Sequence, residues 1–329
     1  MISYEIGHPS SALLHLIRSG LDLNTPKKLR FTPVFVYLED QYHLTVNERQ
    51  TAINKIIKET NSYNFDIKIV SFCDWVLTKE INLFQNTTFN IGDNDGDRLI
   101  SCIKEKTPKT NRNEIFNILR RNALCHIAKK LDCKFIFTPE ISIDIASNLL
   151  KNIALGKGAH VSVDTGFCDD RDDSISILRP LRMFDMKELA FYNVLHSLDP
   201  VTVRQPIVNN YSSVQELMKK FVTDLQEGYP ATINTIIKIG DKLVTDKTTL
   251  RKCKLCEAVI PEPTGDLNSE ESTKFSKLVS NRLPDHNLMA QTRYAEAYEE
   301  FSAKQDVPSD YCYSCSKISE YILSDDDVE

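Results

Sequence analysis

The chain has 329 residues, enough for one large α/β domain and a smaller companion. Its 41% hydrophobic and 26% charged content is that of a folded globular protein, and no apolar run approaches the ~18 residues of a membrane span, so no membrane role is expected. A net charge of −6 excludes a broadly basic surface, although Arg98 to Lys134 carries ten Lys/Arg against three Asp/Glu.

The chain opens on a strand pattern. Ile2, Tyr4 and Ile6 alternate with Ser3 and Glu5. Gly7-His8-Pro9-Ser10-Ser11 follows as a turn into a helix, with Pro9 in its first turn, Gly20 at its stop and Leu13, Leu14, Leu16 and Ile17 as its buried stripe. A strand, turn and helix N-terminus carrying two hydroxyls has the shape of a phosphate-binding site. Gly7, Ser10 and Ser11 are its candidate contacts. The turn holds a single glycine and neither lysine nor acid, so it reads as impoverished. A plain strand-to-helix connection accounts for the same residues.

Phe31 to Leu38 and Asp66 to Phe72 read as further strands, with a helix of period 3.6 at Thr45 to Thr60 between them. The order β-α-β-α-β predicts a parallel sheet covered by helices. Residues 82–110 read as a long polar loop. Asn111 and Glu114 have capping-box spacing and start a helix whose buried face is Ile115, Ile118, Leu119, Ala123, Ile127 and Leu131. Arg120, Arg121, Lys129 and Lys130 fall mostly off that stripe and are the candidate contacts for a nucleic-acid backbone; a solvated helix face explains them equally well. Cys133 to Phe137 reads as a strand. Thr138 and Pro139 then look like the start of a helix with a ridge of Ile141, Ile145, Leu149 and Ile153, closed by Gly156-Lys157-Gly158. Asp144 lies on its other side. Ile175 to Leu178 is a last strand, Arg179 and Arg182 follow it, and Asp185 with Glu188 caps a helix to about Leu198.

Residues 199–212 turn polar, and the boundary is placed there: a domain at 1–205 and a helical, metal-binding region at 206–329 ending in the acidic tail Asp325 to Glu329. Ser213 with Glu216 starts one helix, and Ala231 to Val244 forms another. Nine cysteines, five of them scattered singly, and the lack of a secretion signal point to reduced thiols in the cytosol. The remaining four form Cys253-Lys254-Leu255-Cys256 and Cys312-Tyr313-Ser314-Cys315, two knuckles that together supply a tetrahedral thiolate shell. Zinc is the default ion, and an iron–sulfur cluster accepts the same ligands.

Several runs, taken together, resemble the cytoplasmic tRNA 2-thiolation protein 2 family. They are Gly7 to Leu14, Ala154-Leu155-Gly156-Lys157-Gly158-Ala159, Asp164-Thr165-Gly166-Phe167, Arg179-Pro180-Leu181-Arg182, Lys187-Glu188-Leu189-Ala190-Phe191-Tyr192 and the paired knuckles. The resemblance implies a Rossmann-like PP-loop fold of the adenine nucleotide alpha hydrolase type, and a cytoplasmic subunit of the complex that puts sulfur on C2 of the tRNA wobble uridine, forming 5-methoxycarbonylmethyl-2-thiouridine. It implies a catalytic PP-loop partner that binds ATP and adenylates the uridine, with sulfur arriving from a ubiquitin-related carrier. Active members of that superfamily have a Ser-Gly-Gly-x-Asp-Ser loop, where this chain has His8 and Pro9. Their Gly-His-Asn-x-Asp-Asp sequence is matched by Thr138 to Asp144, with one acid of the pair left. Their cysteine before an Arg-Arg helix start has no counterpart beside Arg120 and Arg121. The resemblance also leads one to expect a cysteine-rich zinc region ahead of the first strand; the sequence here opens at the strand. The expected role is therefore a non-adenylating subunit that supports tRNA binding. The alternatives are an ATP-dependent tRNA sulfurtransferase in its own right, or a metal-stabilised scaffold without tRNA contact.

Overall fold

The computed structural model describes residues 1–22, 24–26, 28–85, 89, 91–92, 94–101, 103–104, 106–204, 209, 211–243, 251–260, 272–273, 275–277, 310–319 and 321–322. Cys102, most of the polar insertion between the cysteine pairs, residues 205–208 and 210 of the polar boundary and the acidic tail lie outside the described residues.

Seven strands form one sheet: β1 (Ile2–Tyr4), β2 (Phe35–Glu39), β3 (Ile67–Ser71), β4 (Phe84–Gln85), β5 (Phe135–Phe137), β6 (Cys168–Asp169) and β7 (Ser176–Leu178), in the order β4-β3-β2-β1-β5-β7-β6. The five inner strands are parallel, and β4 and β6 close the edges antiparallel. Alternation along the strands explains the two-sided burial. Phe35, Tyr37, Ile67 and Ile69 meet α1 (His8–Leu21) and α2 (Val46–Ser62) on one face. Val36, Leu38, Val70 and Ile136 meet α3 (Phe72–Thr78) and α5 (Lys109–Lys130) on the other. Helices thus cover both faces, as a parallel sheet requires. From β1 the chain works outward to β3 and later returns to place β5 on the opposite side of β1. That reversal opens a crevice at the carboxyl ends of β1 and β5, the place where such sheets carry their sites.

Further helices among the described residues include α4 (Asp95–Ser101), α6 (Ser142–Ala154), α7 (Val161–Thr165), α8 (Met186–Leu195), α9 (Val214–Gly228), α10 (Pro230–Lys242) and α11 (Tyr313–Ser319). Ser213 caps α9, its hydroxyl accepting from the Glu216 amide. Glu188 caps α8 by accepting from the Asp185 amide at 2.9 Å. α9 and α10 lay Val222, Ile233 and Ile237 against Ile145 and Ala146 of α6, while the knuckles pack on Ile115 and Ile118 of α5. Both apolar clusters of the C-terminal part therefore draw on helices from before residue 205.

Several local expectations are corrected. The stretch 82–110 contains β4 and α4. α5 begins at Lys109 with Pro108 before it, because Glu114 is buried and spends its carboxylate on Lys157 and Lys151 rather than on a helix end. α6 starts at Ser142, not Pro139, because Glu140 is drawn to Arg179 and Thr138, and Asp144 accepts from the Ile141 amide. Gly20 lies inside the last turn of α1. A Cβ there would come within 2.6 Å of Leu29, so the glycine serves packing rather than a left-handed stop. Leu16 and Ile153 are 38% and 52% exposed, outside the buried stripes assigned to them.

Candidate metal centre and the adjoining crevice

At the end of β1, Gly7 takes φ 139°, a left-handed value that a side chain resists. The turn that follows is committed internally. Ser10 Oγ accepts from the Glu5 amide at 2.9 Å. Ser11 is fully buried on the core side of α1. Asn193 of α8 donates to the His8 carbonyl at 3.1 Å, tying the first turn of α1 down. Neither serine presents its hydroxyl to the crevice as a phosphate ligand would.

The crevice mouth is crossed by an ion bridge. Arg120 of α5 pairs with Asp40, just past β2, and with Glu5, just past β1, at 3.3 Å. Burial raises the Glu5 carboxyl, and Arg120 opposes that shift. Behind the bridge lies a cavity of about 340 Å³ whose walls include Glu5, Arg120, Glu140, Asp144, Lys151 and Cys256. Asp144 caps α6 through the Ile141 amide at 3.4 Å and faces Lys219 of α9 at 3.6 Å. Burial raises its pKa, Lys219 lowers it and Glu140 raises it further. Glu5, Glu140 and Asp144 share the cavity lining with Arg121, Lys151 and Arg179, so both signs of charge face this space.

Arg121 is half-committed to the same cavity and half to the knuckle. It pairs with the buried Asp169 at 3.0 Å and with Glu257 at 2.8 Å. Arg171 grips Asp169 from the other side at 2.6 Å and reaches Asp164 at 2.7 Å. Against the penalty of burial, Arg171 and then Arg121 hold the Asp169 carboxyl far below the usual carboxylate range. Lys129 and Lys130 lie about 13 Å further along α5. Lys129 pairs with Asp172 at 2.5 Å and Lys130 donates to the Ile81 carbonyl, yet both side chains stay largely exposed. The four basic residues read together in the sequence therefore fall into two places, Arg120 and Arg121 in the crevice and the lysines at the far end of the helix.

The four paired cysteines converge. Cys253, Cys256, Cys312 and Cys315 are all buried, and their sulfurs lie within 4.8 Å of one another. The first knuckle is held by the Cys253 amide on the Ala258 carbonyl at 2.8 Å and by the Glu257 amide on the Cys253 carbonyl at 2.9 Å, with Glu257 at φ 58°. The second opens α11, and the Cys312 amide donates to Cys253 Sγ at 3.3 Å. The donor set passes a geometric test. Zinc–sulfur bonds of about 2.3 Å in a tetrahedron hold the sulfurs about 3.8 Å apart, and Cys256 Sγ lies 3.8 Å from Cys312 Sγ. A four-iron cubane needs its outer sulfurs roughly 6 Å apart, because the cluster lies between them.

Residues not singled out as site residues in the sequence surround this centre. Gly156, at φ 74°, lies under the Tyr313 ring, where a Cβ would come within 2.6 Å of Cε1. Lys157 meets Glu114 at 2.5 Å, His160 hydrogen-bonds Cys312, and Arg171 approaches the Cys256 carbonyl at 3.5 Å. The Gly156-Lys157-Gly158 run, read in the sequence only as a helix stop, is the local signal that lies nearest to them.

Comparison with known proteins agrees with this arrangement. A family model described as cytoplasmic tRNA 2-thiolation protein 2 matches residues 213–317, the segment that carries both knuckles. Curated proteins of that name match most of the chain. The one from Anopheles gambiae is 27% identical over 84% of this chain and 67% of its own length, and the one from Drosophila willistoni 28% identical over 84% and 70%. By these matches the chain is similar to the cytoplasmic tRNA 2-thiolation protein 2 family. Its relatives' name places them in the cytoplasm, in line with the expected location, and among the described residues no helix is long and apolar enough to cross a membrane. In fold, the chain is similar to a U34-tRNA thiolase of Methanococcus maripaludis solved with its 4Fe-4S cluster. The TM-score is 0.53 at 15% identity, covering 78% of this chain and 75% of that one. The expected α/β fold, a mostly parallel sheet with helices on both faces and a cysteine cluster toward the C-terminus, is the fold observed.

Proposed function

We propose that this chain is a non-adenylating subunit of the cytoplasmic apparatus that 2-thiolates the wobble uridine of tRNA, forming 5-methoxycarbonylmethyl-2-thiouridine. ATP binding and adenylation of the uridine fall to a catalytic PP-loop partner, and sulfur reaches the pair from a ubiquitin-related carrier. The observation that carries the reading is the bridge from Arg120 to Asp40 and Glu5, which spans the crevice where a working relative would seat a nucleotide. Ser10 is spent on the Glu5 amide and Ser11 is buried, and the third candidate, Asp144, serves as a helix cap. Lys129 and Lys130, the more exposed of the four at the end of α5, are the pair offered to a tRNA backbone, Lys129 while paired with Asp172, and the less exposed Arg120 and Arg121 act through their ion pairs.

The division at residue 205 separates the degenerate PP-loop layer from a helical, metal-binding region that rests on it. Cys253, Cys256, Cys312 and Cys315 would hold a single zinc ion, supported by the 3.8 Å sulfur spacing and by Lys157 and Arg171 offsetting thiolate charge. Bound zinc would supply a structural crosslink between the two knuckles.

Equilibrium binding of magnesium-ATP to the purified full chain tests the assignment. No saturable binding up to millimolar nucleotide is the expected result. Micromolar, magnesium-dependent binding would instead make the chain a sulfurtransferase in its own right.

A further inference from the structure

Arg120, Arg121 and Leu124 of α5 line the crevice cavity, while Asn122 and His126, on another side of the same helix, line a second one. That second cavity holds about 150 Å³ between α5, the end of α3, Asp172 and the first knuckle, with Trp75, Lys79 and Glu257 among its walls. Two of its wall residues keep a buried polar atom without a partner. Trp75 is 2% exposed, and its indole N–H donates to nothing. Asn122 Oδ1 accepts nothing, although Nδ2 of the same amide donates to the Leu255 carbonyl at 3.4 Å. Buried polar groups left unpaired are rare and costly, so a donor and an acceptor both left open around one small space favour a guest that supplies both partners.

The mouth of this cavity is basic and aromatic. Lys79 ends α3 at φ 58°, a left-handed value uncommon for a residue with a side chain, and its ammonium lies 4.6 Å from the centre of the Trp75 ring. His126 stands edge-on to the same ring, with centroids 5.5 Å apart and planes at 74°. Lys129 and Lys130 follow His126 on the same side of α5, about 5 Å further along the axis. Lys79, Lys129 and Lys130 are all exposed. The two carboxylates in the wall are already matched, Asp172 by Lys129 and Glu257 by Arg121.

Resting on the RNA contact proposed above for Lys129 and Lys130, we infer that this cavity is a pocket for one unstacked nucleobase of an RNA strand. Every nucleobase presents an acceptor beside a donor on its pairing edge, the complement of an open indole N–H and an open amide oxygen. The volume is below the ~300 Å³ at which clefts for drug-sized ligands begin, so the pocket takes a single heterocycle. The ring enters beside Trp75 and displaces the Lys79 ammonium from the indole face. Lys79, Lys129 and Lys130 then meet the phosphates that flank the bound nucleotide. A peptide amide offers the same donor and acceptor but brings no phosphate to the three lysines.

Trp75 is the only tryptophan of the chain, so its emission reports on this pocket. The test is titration of the full chain, excited at the red edge of indole absorption, with a mixed-sequence unstructured RNA octamer, with uridine monophosphate and with inorganic phosphate. The chains compared are the unaltered one, Asn122→Leu, Lys129→Ala and, as a remote control, Lys220→Ala on α9. The inference predicts saturable quenching by the octamer, with a Kd raised about tenfold in Asn122→Leu, raised less in Lys129→Ala and within about twofold in the control. Phosphate alone should leave the emission unchanged, and uridine monophosphate should quench more weakly than the octamer. Equal affinity for the mononucleotide would still place a base in the pocket, with a free nucleotide as its source. Should Asn122→Leu melt early, photocrosslinking of a bromouridine-substituted octamer decides in its place. Attachment at Trp75 or His126 upholds the pocket, and attachment only elsewhere overturns it. RNA that binds without changing Trp75 emission, or equally well to a stable Asn122→Leu chain, overturns the pocket and leaves the proposed function standing. Failure of the octamer and of whole tRNA to bind, to the chain alone or in its complex, overturns both.

Discussion

Asp169→Asn probes the joint between the crevice and the metal centre. The carboxylate is fully buried and receives Arg171 at 2.6 and 2.9 Å and Arg121 at 3.0 Å. The amide keeps the shape but removes the charge, leaving two buried guanidinium groups short of one counter-ion. Breaking one partner out of a buried ion network costs about 3–5 kcal/mol. Asp164 remains on Arg171 and Glu257 on Arg121, so the lower end of that range is expected. Denaturant unfolding of the full chain at pH 7 reads the loss directly. The pH dependence supplies a second check. Asp169 is held below its ordinary value in the folded chain, so its stabilisation is fully present above about pH 4 and is lost as pH falls below that toward the folded value. The deficit of the variant is therefore constant from pH 5 to 8 and shrinks in stronger acid. A loss under 1 kcal/mol at pH 7, or a deficit that grows with acid, would refute the network.

Further outcomes follow from the same geometry. Cys315→Ser removes one of four buried sulfurs, and bound metal measured on the purified chain should fall to below about a fifth of that on the unaltered chain, with the knuckle region becoming protease-sensitive. Gly156→Ala places a Cβ against Tyr313 at a left-handed backbone, and a loss of about 1–3 kcal/mol in denaturant unfolding is expected. Leu14→Ala should cost about 2–5 kcal/mol and Leu16→Ala under 1, because the first side chain is buried and the second is on the outer side of α1. Lys129→Glu with Lys130→Glu should weaken tRNA binding by the assembled complex and flatten its salt dependence, while Arg120→Ala should act on stability first.

Local rules in the sequence carried much of the fold. The apolar run Phe31 to Leu38, the strand pattern Asp66 to Phe72 and the Ser213–Glu216 cap depend on neighbours a few residues apart; β2 and β3 form within or beside those stretches, though β2 starts only at Phe35 and Phe72 opens α3, and α9 starts at its cap. Two-residue edge strands such as β4 and β6 leave no period to read. The starts of α5 and α6 were displaced for one reason: Glu114 and Glu140 look like helix-start acids in one dimension, but each is claimed by a cation from a distant segment. The same blindness applies at the site. Each knuckle is legible from its own spacing, whereas Arg120 meeting Glu5, or His160 meeting Cys312, joins segments more than a hundred residues apart that only the fold brings together. The counter-ions of Arg120 and Arg121, Asp40, Glu5, Asp169 and Glu257, come from distant segments and so were not legible beside them in the sequence.

The central claim, a required subunit that does not itself handle ATP, is tested most directly by mass spectrometry of wobble 2-thiouridine in tRNA from cells lacking this chain and from cells restored with the chain carrying Ser10→Ala. The account predicts loss of the modification in the first and full recovery in the second. Undiminished thiolation without the chain, or failure of a folded Ser10→Ala chain to restore it, would contradict it.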